Sequence, residues 1–512
     1  MTALETARLE LVKPGSPLDG THRPDQPALS LVSELCSALA AEGVVYCHWK
    51  SNNALDRSAR GENDLDLLVS RADERRFAGI LSQLGFKEAR LPADRQLPGI
   101  LDYYGYDPEA SQFVHVHAHY QLIMGDDMTK NYRLPIERPY LESAVQAGLF
   151  RVPSPEFEFM VLVIRMVLKH SSWDAILSLQ GSLPASARRE LAYLQNRIDR
   201  PRLYELLRQH VPFIGQPLFD RCLDSLRPDC RFWTRVKVGQ QLQRALQAHA
   251  CRSQASDTYL KLWRRASRAV RQRIFRRRPR KRLAQGGAMI ALVGGDGAGK
   301  STAVEELHAW LSKDFDVIQV HLGKPAWSWT TIIVRGLLKL GRLLGLFPYR
   351  KSSPRPPLDS ESPVFPGYPW LLRTVCTARD RYRAYVKARR FATNGGLVLC
   401  DRFPLPPLLF MDGPQIAKMT AMARANRLVR FLMELEHRYY RHILLPDLLI
   451  VLRLDPEIAV QRRTDEEATS VRARGQEIWE LEWQKTPARV INAGRPKAEV
   501  LSALKSLVWS EL

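Results

Sequence analysis

The stretch from Met289 to Thr302 constrains the fold of this chain more than any other. Gly294, Gly299, Lys300 and Ser301 fit G-x-x-x-x-G-K-[ST], a glycine loop whose backbone cradles phosphate. Five apolar residues, Met289 to Val293, precede it and read as a buried strand. After it, Val304, Leu307 and Leu311 recur at helical spacing, with Glu305 and Glu306 turned away. A strand feeding a helix through such a loop predicts an α/β unit. Gly294, Gly295, Gly297 and Gly299, with Asp296 and Ala298 between them, let N–H groups converge without Cβ clashes. Those donors add to the positive end of the helix that starts near Thr302. The spacing brings Lys300 to the β- and γ-phosphates of a nucleotide and the Ser301 hydroxyl to Mg²⁺.

At 512 residues the chain exceeds one ordinary core, and more than one domain is expected. Its 76 Lys and Arg against 54 Asp and Glu leave a net charge of +22. That excess favours an anionic partner, be it nucleotide, phosphorylated substrate, nucleic acid or membrane surface. The seven cysteines, at 36, 47, 222, 230, 251, 376 and 400, are scattered and odd in number. They point away from a disulfide framework or zinc knuckle and toward a reducing cytoplasm. Without an apolar signal core or a run of about 18 apolar residues, neither a secretory leader nor a membrane span is expected.

The order of patterns along the chain predicts a flexible tail over 1–28, an α+β region over 29–152, and a helical region over 153–262. A basic linker over 263–285 follows, and then the glycine-loop region over 286–512. The linker is dense in arginine, including Arg264, Arg265, Arg268, Arg271 and Arg276 to Arg278. It serves as a solvated connector or as a contact to nucleic acid or anionic lipid. Trp263, Val270, Ile274 and Phe275 give it an apolar side, which keeps the lipid reading open. Few aromatic residues alternate with the arginines, which disfavours a platform for stacking bases.

Gly61 to Val69 carries the second chemical signal. In a strand, Asp64 and Asp66 share one face while Leu65, Leu67 and Val69 face the core. Two carboxylates so spaced suit a divalent metal. Farther on, His115, His117 and His119 alternate in the same way. If the two strands are neighbours, a mixed His/Asp metal site results; otherwise the histidines form a polar strand face.

Three segments of residues 286–512 resemble thymidylate kinases. The loop Gly-x-Asp-Gly-Ala-Gly-Lys-Ser-Thr is one. The apolar strand Leu397 to Cys400, ending in Asp401-Arg402-Phe403, is similar to that family's Asp-Arg-Tyr motif. The strand after Pro446-Asp447, continuing to Asp455-Pro456-Glu457 and Arg462-Arg463, is similar to its third diagnostic segment. The resemblance implies a parallel-sheet phosphate-loop kinase using ATP and Mg²⁺. It implies that Asp401 orders Mg²⁺ and its waters, and that Arg402 holds the acceptor phosphate. One of Arg462, Arg463, Arg472 and Arg474, around a polar lid from Thr464 to Val471, would neutralise charge on the transferred group. Asp296 faces the acceptor's sugar or simply serves the turn. Residues about 40–170 in turn resemble the nucleotidyltransferase superfamily, through Asp64-x-Asp66 and Ser51 after Trp49-Lys50. His117 stands where that family has its third carboxylate.

The acceptor side departs from thymidylate kinases. Their Arg-Glu-Pro-Gly after the second strand is here His321-Leu322-Gly323-Lys324-Pro325. Their Ser and Tyr-Gln are replaced by Pro404 to Pro414. An insert from Trp327 to Asp359 carries an amphipathic run, Ile332 to Leu344, with Arg335, Lys339 and Arg342. That run is a packed helix, a lid, or a helix at the membrane interface. The expected activity is phosphoryl transfer to a phosphate- or hydroxyl-bearing acceptor other than dTMP, such as a sugar, glycan precursor or modified nucleotide. A nucleotide-dependent switch and an N-terminal nucleotidyltransferase are the alternatives. The expected place is the cytoplasm, with peripheral contact at the inner membrane face.

Overall fold

The structure is a computed structural model, and it describes residues 27–171, 183–273, 280–346, 367–405, 408, 413–416, 426–463 and 466–512. The proposed tail up to residue 26, the arginines at 276–278, the insert beyond 346 and lid residues Thr464 and Asp465 lie outside the described residues. The chain is mixed α/β, with one six-stranded and one five-stranded sheet.

The first sheet is built from β1 (Tyr46–His48), β2 (Leu65–Val69), β3 (Lys87–Arg90), β4 (Ile100–Asp107) and β5 (Gln112–His119). Two short hairpins follow, β6/β7 (Ile123–Met124, Tyr132–Arg133) and β8/β9 (Val145–Ala147, Phe150–Val152). β10 (Arg282–Leu283) completes the order β1-β2-β5-β4-β3-β10. Alternation does what the pattern predicts in β2. Leu65, Leu67 and Val69 join one apolar cluster with Val116, Phe77 and the helix Ser30–Ala41. Leu68 joins another, built on the helix Pro155–His170 through Phe159, Leu162 and Val163. β2 runs parallel to β5 and sets Asp66 opposite His117.

The stretch expected to be a connector is largely structured. Residues Gln254–Arg273 form a helix whose arginines grip the first sheet's loops. Arg264 donates to the Met128 and Gln96 carbonyls, Arg265 pairs with Asp126 at 2.6 Å, and Arg271 pairs with Asp94. These guanidinium groups are engaged by the chain itself, because Asp94 and Asp126 stand opposite them. β10 then pairs antiparallel with β3.

The second sheet is wholly parallel, in the order β12-β13-β11-β14-β15. Its strands are β11 (Met289–Gly294), β12 (Val317–His321), β13 (Leu397–Asp401), β14 (Leu448–Arg453) and β15 (Arg489–Asn492). β11 is buried on both faces. Ile290 and Leu292 meet Leu307 and Leu311 of the helix Lys300–Leu311. Met289, Ala291 and Val293 meet Tyr385, Ala388 and Ala392 of the helix Tyr368–Thr393. Continuous apolar runs are what a doubly covered parallel sheet requires.

The two sheets share a core. Tyr104 and Tyr106 of the first cluster with Trp310, Phe315 and Trp509 of the second. Phe113 stacks on Trp310 with centroids 4.8 Å apart. Trp509 donates its indole N–H to the Gly85 carbonyl at 3.1 Å.

Candidate functional site

β11 ends at Gly294, where a Cβ would lie 2.7 Å from the Leu452 carbonyl oxygen. Gly297 and Gly299 take φ of +76° and +82°, which L side chains rarely adopt. Gly299 caps the helix Lys300–Leu311, so the loop's N–H groups and the helix's positive end share one concavity. Ala298 is buried beneath it, and Ser301 and Thr302 are exposed on the first turn. Lys300 is buried and folds back to donate to the Gly295 carbonyl at 2.7 Å. Burial lowers its pKa; Asp296 and Asp401 work against that shift, while Arg402 and Arg463 add to it. The ammonium is therefore held where its charge is under-compensated, a setting that an entering polyanion relieves.

Asp401 closes β13, whose register sets it against Leu292 of β11, two residues before the loop. No hydrogen-bond donor among the described residues reaches its buried Oδ1. A buried carboxylate oxygen without a donor suits a cation or its water. Arg402 follows at φ +56°, left-handed for a residue with a Cβ. Such a conformation costs on the order of 1–3 kcal/mol and collects at functional sites.

The arginines separate. Arg474 pairs with Asp296 at 2.7 Å and also with Glu466, which Arg463 contacts as well. Arg462 lies 3.4 Å from the Gly297 carbonyl. Arg472 pairs with Glu457 on the exposed surface, away from the loop. Arg474 thus touches the loop's own carboxylate where Arg472 does not. Residues 472 and 474 both lie in the helix Ala468–Glu480, where a step of two turns a side chain to a different face.

On the first sheet, ligand atoms of Asp64, His115 and His117 lie within 4.8 Å of one another. The set differs from Asp64, Asp66 and His117 in one member. Asp66 Oδ1 is taken by Lys50 at 2.7 Å, an ion pair that the sequence did not announce. Burial acts to raise the Asp66 pKa, but Lys50 and the histidines hold it well below the usual range. Burial acts to lower His117, and Asp102 and Asp66 raise it to about 9. Fully enclosed, His119 drops to about 4.

Two partners carried no sequence signal. Asp102, on β4, lies 3.0 Å from Nε2 of both His115 and His117. Lys281, just before β10, reaches Asp102 at 2.9 Å and His115 Nε2 at 3.0 Å. Beside them opens a cavity of about 460 Å³, lined among others by Lys50, Asp64, Asp66, Lys130, Arg165 and Lys169. Its lining brings cationic and carboxylate side chains together.

No protein-family model matches the chain. It is 28% identical over 225 residues to the uncharacterized ATP-binding protein YghR of Escherichia coli K12, covering 43% of this chain and 86% of that protein. It is 26% identical over 226 residues to the uncharacterized ATP-binding protein YghS of the same strain, covering 42% and 90%. The likeness supports nucleotide binding and concerns less than half of this chain.

Proposed function

We propose that the chain is an ATP- and Mg²⁺-dependent phosphotransferase acting through the glycine loop, like the thymidylate kinases its motifs resemble. One observation carries this reading: buried Lys300, at the start of the helix after the glycine loop, and the donor-less Oδ1 of Asp401, at the end of the strand beside β11, flank one glycine cradle. Loop amides and Lys300 bind the β- and γ-phosphates. Ser301 and Asp401 would hold Mg²⁺, which supplies neutralisation of phosphate charge. Arg402 positions the acceptor, and Arg463 or Arg474 neutralises charge on the transferred group. The acceptor oxygen bonds to the γ-phosphorus as the bond to the bridging oxygen breaks, and ADP leaves with the electron pair.

Acceptor-dependent formation of ADP, equimolar with a phosphorylated product, tests it. Release of free phosphate with no phosphorylated acceptor would instead identify a hydrolysing switch. dTMP is expected to turn over little above background hydrolysis, because the segments that hold its base are replaced. A catalytic efficiency with dTMP of about 10⁴ M⁻¹s⁻¹ or more would contradict this.

The Asp64/His115/His117 group favours a second reading, metal-dependent nucleotidyl transfer at the N-terminal cavity. Imidazole and carboxylate together suit Zn²⁺ or Mn²⁺ better than Mg²⁺ alone. The intact chain is expected to bind about one such ion, and His117→Ala to weaken binding at least tenfold, as loss of a ligand does. Metal content measured after gel filtration checks this; equal content in Asp64→Asn, His117→Ala and wild type would make the cluster a structural ion network. The full chain is required, because Lys281 and β10 complete this sheet.

A further inference from the structure

The helix Trp329–Leu343 leaves most of its apolar side chains outside the fold. Trp329 is 82% exposed, Leu337 62% and Leu343 76%, and Ile333, Leu344 and Leu346 exceed half. Only Thr331 and Gly341 of the helix are buried. Single exposed leucines are ordinary; a contiguous set on one short segment marks a surface that meets something apolar.

Its charge narrows the choice. Leu322 to Leu346 contains Lys324, Arg335, Lys339 and Arg342 and no Asp or Glu. Two copies of this surface would bring like charges together. Nucleic acid would engage the basic residues but not the leucines. A bilayer with anionic headgroups satisfies both, taking leucine into its boundary and lysine at its surface, with Trp327 and Trp329 at the depth that indoles prefer. Among the described residues no helix is long and apolar enough to cross a membrane, so contact of this segment is peripheral.

The segment is firmly mounted. Arg379 donates to Ser328 Oγ at 2.6 Å, Asp380 accepts from the Ser328 N–H, and Arg381 donates to the Leu322 carbonyl at 2.5 Å. Leu322 in turn donates to the Asp401 carbonyl at 3.1 Å, which ties its base to the edge where Arg402 stands.

We propose that the helix Trp329–Leu343 seats the protein on an anionic membrane surface, with the strand end at Asp401–Arg402 on the same side as the bilayer. The seating stands apart from the phosphotransfer reading; only the consequence that the acceptor is met at the membrane rests on it.

Co-sedimentation of the full chain with phosphatidylcholine vesicles, with and without phosphatidylglycerol, tests the proposal. Binding is expected only with phosphatidylglycerol, falling as salt rises. Lys324→Ala, Lys339→Ala and Arg342→Ala together should lower partitioning roughly 100-fold. Leu337→Glu with Leu344→Glu should abolish it, while ATP affinity stays at the wild-type value and shows that the variant is folded. Equal binding to both vesicle types would overturn the anionic assignment. Absence of vesicle binding overturns the proposal, whether self-association reversed by the leucine variant or salt-sensitive binding to duplex DNA takes its place. Loss of ATP binding in Lys300→Ala is read separately, so neither result can mask the other.

Discussion

Lys300→Ala is expected to weaken ATP binding by roughly 10- to 100-fold, the worth of one charge-assisted hydrogen bond to a phosphate. Lys300 is the loop's own cation and is already buried beside the Gly295 carbonyl, so its replacement leaves no second ammonium to move in. The neighbouring Arg402 and Arg463 act on it electrostatically, and Arg463 is held by Glu466. Calorimetric titration of ATP with Mg²⁺ into wild type and variant measures the difference. Equal affinities would remove the glycine loop as the nucleotide site and with it the proposed phosphotransfer.

The second large effect is structural. Trp310 lies on the loop helix, stacks on Phe113 and meets Tyr106 edge-on, both of the first sheet. Truncating a buried tryptophan costs on the order of 3–5 kcal/mol. Trp310→Ala is therefore expected to lower stability by about that much and to uncouple the two sheets. In urea, wild type should unfold with the same midpoint by tryptophan fluorescence and by protease resistance of the N-terminal sheet. In the variant the two midpoints should separate. A loss below about 1 kcal/mol, with coincident midpoints, would show that the aromatic contact contributes little. Because Lys281 crosses the same boundary to Asp102, Lys281→Ala offers a milder form of the same uncoupling.

The local elements were legible because each depends on neighbours in sequence. Met289 to Val293 is an unbroken apolar run before a glycine loop, so it read as a buried strand, and it lies in a sheet covered on both faces. Gly299-Lys300 starts a helix because the loop ends in a left-handed glycine that a following helix can use as its cap. Alternation placed Asp64 and Asp66 on one side of β2, and His115, His117 and His119 on one side of β5. The amphipathic run from Ile332 to Leu344 announced its helix, though not what the apolar side would face.

What tertiary structure alone decided is which of those residues meet. Parallel pairing of β2 with β5 brought Asp66 beside His117, where Lys50 also pairs with Asp66, and it gathered Asp64, His115 and His117 into one cluster. Asp102 joins that site because β4 pairs with β5, and Lys281, 179 residues away in the chain, joins it because β10 adds to the first sheet after the whole helical region has passed. Arg474 rather than Arg472 reaches Asp296, a choice made by the rotation of one helix. Two arginines of Gln254–Arg273 that composition alone offered to any anion, Arg265 and Arg271, pair with Asp126 and Asp94. Periodicity fixes which way a side chain points along its own element. Its partner depends on which distant element is packed there, and no local pattern carries that.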